Sequence, residues 1–145
     1  FCYISSNLRL VSPPTTQGRS PHAATPATLP LMPRFVAVYT MKPEALAAFR
    51  ALPKSEQDAI DEAGVKAWYA WRERHANSLV GTDTMVGKTK RLTRSGVSDA
   101  HNEIAGFLLV EAETLEAAAD LFLDHPHLSI FPGDGIDVMP VVSVE

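Results

Sequence analysis

A single cysteine, Cys2, stands among the first residues of a chain of 145. One thiol excludes an internal disulfide and a metal cage built from cysteines, and it makes a reducing compartment, the cytoplasm, the simplest location. Long apolar runs are missing too. No stretch approaches the ~20 residues that a membrane-spanning helix needs, so no membrane partner is expected. Acids are absent from residues 1–43, and all 17 stand against 11 Lys and Arg within residues 34–145. An acidic domain without a basic stripe is a poor candidate for nucleic acid, where phosphate neutralisation dominates affinity.

Residues 12–33 are rich in Ser, Thr, Pro and Ala, and six of the chain's eleven prolines precede Arg34. Such a composition cannot bury enough apolar surface to offset its ordering entropy. Residues 1–31 are expected to be a disordered or non-native extension, a cloning or reading-frame remnant ahead of a start at Met32. The alternative is an organelle transit segment, acid-poor with Arg9 and Arg19 but without an amphipathic Arg-rich face. Residues 32–145 are long enough for one domain with a sizeable core.

From Arg34 the pattern is regular. Arg34 to Thr40 reads as a strand, and Pro43 suits the first turn of a short helix that Pro53 ends. Ser55 with Asp58 resembles a capping box opening a longer helix, whose apolar stripe runs Ile60, Gly64, Ala67, Trp68, Trp71 and on to His75 before fading near Asn77. Leu79 to Val86 is a short extended segment. Lys88 to Thr93 alternates as a strand, turned by Ser95-Gly96, and Val97 to Asn102 reads as a polar loop. Ile104 to Glu111 is a third strand, Thr114 caps a helix stopped by Pro126, and Ile136 to Val142 closes the domain.

The order β-α-β-β-α-β predicts an α+β, ferredoxin-like fold: an antiparallel four-stranded sheet with helices on one face. A sheet with one wet face should alternate apolar with polar, whereas residues 35–39 and 107–110 are apolar on both faces. A second copy packed sheet to sheet, as a homodimer, is the expected cover.

The block from Gly106 through Val110-Glu-Ala-Glu-Thr-Leu-Glu-Ala-Ala119, then His125-Pro-His-Leu128 and the closing Ile136-Asp-Val-Met-Pro140, resembles the YCII-related family, together with the first strand and the tryptophan-rich helix. The resemblance spans about Met32 to Val142. It implies a ferredoxin-like domain that pairs into a dimeric α/β barrel, a His/Asp pair, and, through one relative, lactone dehalogenation. Two positions depart from the family pattern: Lys66 stands near the helix histidine of YciI-type members, and Ser98-Asp-Ala-His-Asn102 replaces the Asp-Gly-Pro-Phe signature of another branch.

His125 and His127 flank Pro126. His125 at the end of a helix is read as a cap, where the dipole favours a hydrogen-bonded or charged imidazole. His127 is the better acid/base residue, with an unperturbed pKa of ~6.5. Among Asp83, Asp134 and Asp137, Asp83 is the acid expected to orient it, because Thr82-Asp83-Thr84 is unusually polar beside a sheet. Tyr39, His101 and Asp134 are the residues expected to contact substrate.

No metal is expected, since His-Pro-His supplies at most two ligands. Gly81 to Thr89 imitates a phosphate-binding loop but has one residue too many, follows a helix and precedes a strand, the reverse of what that loop requires. Trp68 and Trp71 at helical spacing are read as core rather than as ligand walls. The functional expectation is a cofactor-independent enzyme doing histidine acid/base chemistry on a small, cyclic or lactone-like molecule. The alternative is a non-catalytic binding or accessory dimer.

Overall fold

The computed structural model describes residues 31–144. The expected extension over residues 1–31 lies, but for its last residue, outside the described residues. Strand β1 (Arg34–Thr40) is apolar on both faces yet alternates in burial: Phe35, Ala37 and Tyr39 are buried on one face, while Val36, Val38 and Thr40 are half-buried on the other. Helices α1 (Pro43–Ala51) and α2 (Lys54–Arg74) follow, then a 3-10 turn (Ala76–Ser78) and β2 (Leu79–Met85). A hairpin of β3 (Thr89–Thr93) and β4 (Gly96–Ala100) precedes β5 (Ile104–Glu111). Short helices α3 (Leu115–Asp120) and α4 (Pro126–Ser129) lead to β6 (Gly135–Pro140).

The main sheet has four strands in the order β2-β5-β1-β6, and its three pairings are antiparallel. With the hairpin set aside, this is the ferredoxin-like arrangement. The second sheet strand is β2, however, and not the Lys88–Thr93 segment that the alternation suggested. Leu79, Val80 and Met85 give β2 apolar contacts along β5. The β3 and β4 strands pair only with each other, Val97 to Ala100 included, so the expected polar loop is a strand. Their cross-strand pair Leu92 and Val97 is exposed, with nothing apolar to cover it.

The expected capping box at Ser55 does not form. Pro53 occupies the cap of α2 and no side chain caps it, while Lys54 and Asp58 pair one turn apart on the surface. The corner between α1 and α2 is instead closed by Gln57, whose side-chain amide donates to the carbonyls of Arg50 (3.1 Å) and Leu52 (2.8 Å). Those carbonyls at the end of α1 have no partner within their own helix. Thr114 does cap α3, accepting from the Ala117 N–H at 3.1 Å.

Helix α2 lays its predicted stripe against the sheet, with Gly64 and Trp71 fully covered and Trp68 partly so. A Cβ on Gly64 would lie 2.2 Å from the Phe131 ring, so only hydrogen fits there. The core is Phe35, Ala37, Tyr39, Trp71, Leu108, Val110, Ala118 and Phe122, and the Trp71 indole N–H donates to the Leu121 carbonyl at 2.9 Å. The opposite sheet face carries Val36, Val38, Val80, Phe107, Leu109 and Met139 in adjacent register, with Phe107 and Met139 exposed. Among the described residues no helix covers that largely apolar face, where Thr84 and Asp137 flank Phe107 and Val38.

Candidate functional site

Between α2 and the sheet, an otherwise apolar layer holds five polar side chains: Tyr39, Arg72, Asp83, His125 and His127. Tyr39 is the last inward residue of β1 and has no exposed surface. Its hydroxyl donates to Asp83 Oδ1 at 2.6 Å. Arg72 holds the other oxygen of Asp83 and donates to the Gly81 carbonyl at 3.1 Å. Asp83 can reach inward because the pairing of β2 with β5 breaks between Val80 and Thr84. Burial pushes the Tyr39 phenol far above its ordinary range, and the charge and hydrogen bond of Asp83 push it the same way. Tyr39 therefore stays protonated.

The two histidines follow from a local rearrangement that the sequence reading missed. His125 does not end α3, which stops at Asp120. It is the N-cap of α4, with Pro126 in the first turn, and its Nδ1 accepts the backbone N–H of His127 at 3.1 Å. Proline suits that first turn because its fixed φ is already helical and the helix needs no N–H there.

His127 Nε2 lies 2.7 Å from the Thr40 carbonyl. A carbonyl can only accept, so Nε2 carries the proton and Nδ1 carries the lone pair. The same logic puts the proton of neutral His125 on Nε2. Both rings are completely buried, and His125 Nε2 and His127 Nδ1 make no hydrogen bond among the described residues.

Burial lowers the pKa of both imidazoles. His125 is pushed down to about 3, against the opposing field of Asp83. His127 is lowered less simply: burial depresses it, while the Thr40 carbonyl, the Asp134 charge and the Gly135 backbone favour its cation. Around His125 the aromatic walls are close. Tyr39 stacks on it at 5.2 Å between ring centres, and Trp68 and Trp71 meet it edge to face at 4.4 Å each. His127 also packs on the Tyr39 ring, at 5.3 Å. The loop after α4 lies flat on His127, since a Cβ on Gly133 would come within 2.3 Å of Nε2.

The expected residues thus separate into two groups. Tyr39, Asp83 and His127 come together in this layer. Asp83 pairs with Tyr39 and Arg72, however, and not with His127, whose ring is held by the Thr40 main chain. Among the described residues no carboxylate oxygen lies within 4.0 Å of a nitrogen of His125 or His127. Asp134 is exposed and reaches His127 only through its field and through its own N–H, which donates to the Thr40 carbonyl at 3.2 Å. His101 is exposed in the connection from β4 to β5, with no polar or ring contact to the layer.

Arg72 was missed altogether: it stands one turn after Trp68 on the same helix, and its spacing says nothing of the Asp83 carboxylate that it meets. Trp68 and Trp71 are core, as expected, and also wall His125. No group of three or more His, Cys, Asp or Glu able to hold a metal occurs among the described residues. No described helix is long and apolar enough to cross a membrane.

No protein-family model and no curated protein matches the chain. Among solved structures it is similar to 5-chloro-2-hydroxyhydroquinone dehydrochlorinase (TftG) from Burkholderia phenoliruptrix AC1100 in complex with 2,5-dihydroxybenzoquinone, at 16% identity and a TM-score of 0.41, over 73% of this chain and 90% of that one.

Proposed function

We propose that this protein is a cofactor-independent enzyme that moves a proton on a small cyclic molecule, with His127 as the base. One observation carries the reading. A line of polar groups, Arg72, Asp83 and Tyr39, runs through an otherwise apolar layer and ends against two buried imidazoles, each with a nitrogen that hydrogen-bonds to no other described residue. Perturbed titratable groups gathered in one place are a recognised mark of a functional site.

The roles follow from the hydrogen bonds. The lone pair on His127 Nδ1 accepts the proton. The Thr40 carbonyl then holds Nε2–H while the ring is cationic, and the Asp134 field favours the same form. Asp83, fixed by Arg72, takes the Tyr39 hydroxyl proton into its hydrogen bond and so leaves the phenol oxygen free to accept from a ligand. Asp83 is therefore a positioning residue for Tyr39. Trp68 and Phe131, 5.9 Å apart and edge to face, form the apolar wall on the α2 side.

A place in the YCII-related family, a cytoplasmic location and assembly as a homodimer through the open sheet face belong to the same proposal. The strand order supports the first, and the apolar patch around Val38 and Phe107 supports the last.

The test is solvent-deuterium exchange of acidic C–H positions, followed by proton NMR across a panel of small lactones and cyclic ketones. His127→Gln keeps an amide donor for the Thr40 carbonyl and removes the base. It should slow exchange by about 100-fold or more, the usual contribution of a general base, with an unchanged circular dichroism spectrum. Exchange at the wild-type rate in that variant would overturn the assignment. The complete burial of both rings, which leaves neither nitrogen a solvent partner for proton exchange, weighs toward a second reading, a non-catalytic binding protein. That reading predicts compounds that raise the melting temperature and never exchange.

A further inference from the structure

We propose that the β3–β4 hairpin is an arm that docks on a second copy of this chain, laying Leu92 and Val97 on the open sheet face of that copy and setting Arg94 against Asp137 of the partner subunit. The inference rests on the reading of that face as the dimer surface, and it adds the element that clasps the dimer.

The arm is built from residues that its own chain leaves unused. β3 and β4 pair only with each other, and a two-stranded hairpin is marginal at best in water. Its cross-strand apolar pair, Leu92 and Val97, is 74% and 66% exposed. Its charge is opposite to that of the body. Residues 88–100 hold four Lys and Arg against Asp99 alone, whereas the rest of residues 34–145 holds 16 acids against seven Lys and Arg. Asp99 pairs with Lys88 and Lys90, while Arg94, at the turn, makes no ion pair among the described residues.

A protruding apolar pair beside a free cation calls for an apolar surface that carries an acid. The open sheet face is such a surface. Val38 and Phe107 are register partners in its middle, and Asp137 is exposed beside Val38 on β6, also without an ion pair among the described residues. Within one chain the hairpin does not cover this face, since Leu92, Val97, Phe107 and Met139 are all exposed. The two features therefore meet across copies, and a twofold axis makes the exchange reciprocal. Reach is sufficient: stacked sheets lie ~10 Å apart, and a five-residue strand spans about 17 Å. The arm follows β2, and β2 and β6 are opposite edges of the sheet, so the contact sets β2 of one copy over β6 of the other.

Dimer dissociation constants of the full chain, measured by analytical ultracentrifugation, test the clasp. Leu92→Ser with Val97→Ser changes two exposed side chains and should leave the circular dichroism spectrum native. The dissociation constant should rise about 100-fold, the effect of losing two buried apolar anchors. Arg94→Glu and Asp137→Arg should each weaken the dimer about tenfold, and the two together should regain most of that loss. An unchanged constant in the serine variant, or strictly additive losses in the charge swap, would overturn the proposal. So would wild-type protein that binds phosphatidylserine vesicles through the hairpin while the hairpin variants dimerise normally, the mark of an anionic lipid surface as the partner. A monomeric Phe107→Glu beside hairpin variants that dimerise normally keeps the sheet-face dimer and removes the arm. A charge swap that restores association, with Phe107→Glu still dimeric, keeps the arm and removes the sheet-to-sheet packing.

Discussion

The backbone N–H of His127 donates to the ring of His125 at 3.1 Å, so one histidine is the helix cap of the other. Replacing the His125 ring removes that cap acceptor, whereas the bond needs only the main chain of His127, and burial lowers the pKa of both imidazoles. The consequences can be measured in four ways.

Acid should unfold the protein through these rings. Above pH ~6.5 both histidines are neutral whether the chain is folded or not, and they contribute no slope. Below that, the unfolded chain takes up protons that the folded protein refuses, His125 down to about 3. Stability should therefore fall as pH falls across this window, by about 1.4 kcal/mol per pH unit for each histidine held neutral. Urea midpoints between pH 7.5 and 4.5 should track this slope, and His125→Asn should flatten it. A wild-type stability that is level over that range would contradict the buried neutral pair.

Arg72 and Asp83 should behave as a unit. Removing Arg72 as Ala strands the Asp83 carboxylate, whose side chain is 11% exposed, against the Tyr39 ring layer. A cost of about 2–3 kcal/mol is expected, short of a fully buried pair because Arg72 is partly solvated. Adding Asp83→Asn should recover part of it. A strictly additive double-mutant cycle by urea unfolding would show that the pair is not coupled.

Two glycines should refuse a methyl group for different reasons. Gly64→Ala drives a Cβ into the Phe131 ring and should cost about 1–3 kcal/mol, partly rescued by Phe131→Leu. Gly133→Ala presses on His127 and should break its bond to the Thr40 carbonyl. In the second variant the His127 ring should change its nitrogen shifts even where the melting temperature survives.

The open sheet face should be buried by a second copy. Light scattering is expected to give twice the chain mass. Phe107→Glu, in the middle of the apolar patch, should return the monomer mass with native secondary structure. A monomeric wild type would leave that patch unexplained.

The sequence carried much of this architecture in its periodicities. The unbroken apolar run over residues 35–39 marked a strand, the stripe from Ile60 to His75 marked the packing face of a helix, and the β-α-β-β-α-β order followed from them. Periodicity could not decide between Leu79–Met85 and Lys88–Thr93 for the sheet, because both have strand patterns and only contact with β5 separates them. The site was half legible. Tyr39, Asp83 and His127 were visible as polar residues beside apolar strands. Their pairing was not, since it depends on Arg72 reaching from α2 and on the break in β2. His125 was misread because a proline after a helical run normally ends a helix, and here it begins a new one.

The Thr40 carbonyl, which accepts from both the Asp134 N–H and the His127 ring, belongs to the main chain. The position of the proton on His127 is therefore written into the register of β1 rather than into any side chain. Substituting residue 40 leaves that carbonyl in place, whereas a one-residue slip of β1 would erase it. Inheritance of the site thus follows inheritance of the strand alignment: homologues that keep the alignment can change residue 40 and still hold the same tautomer.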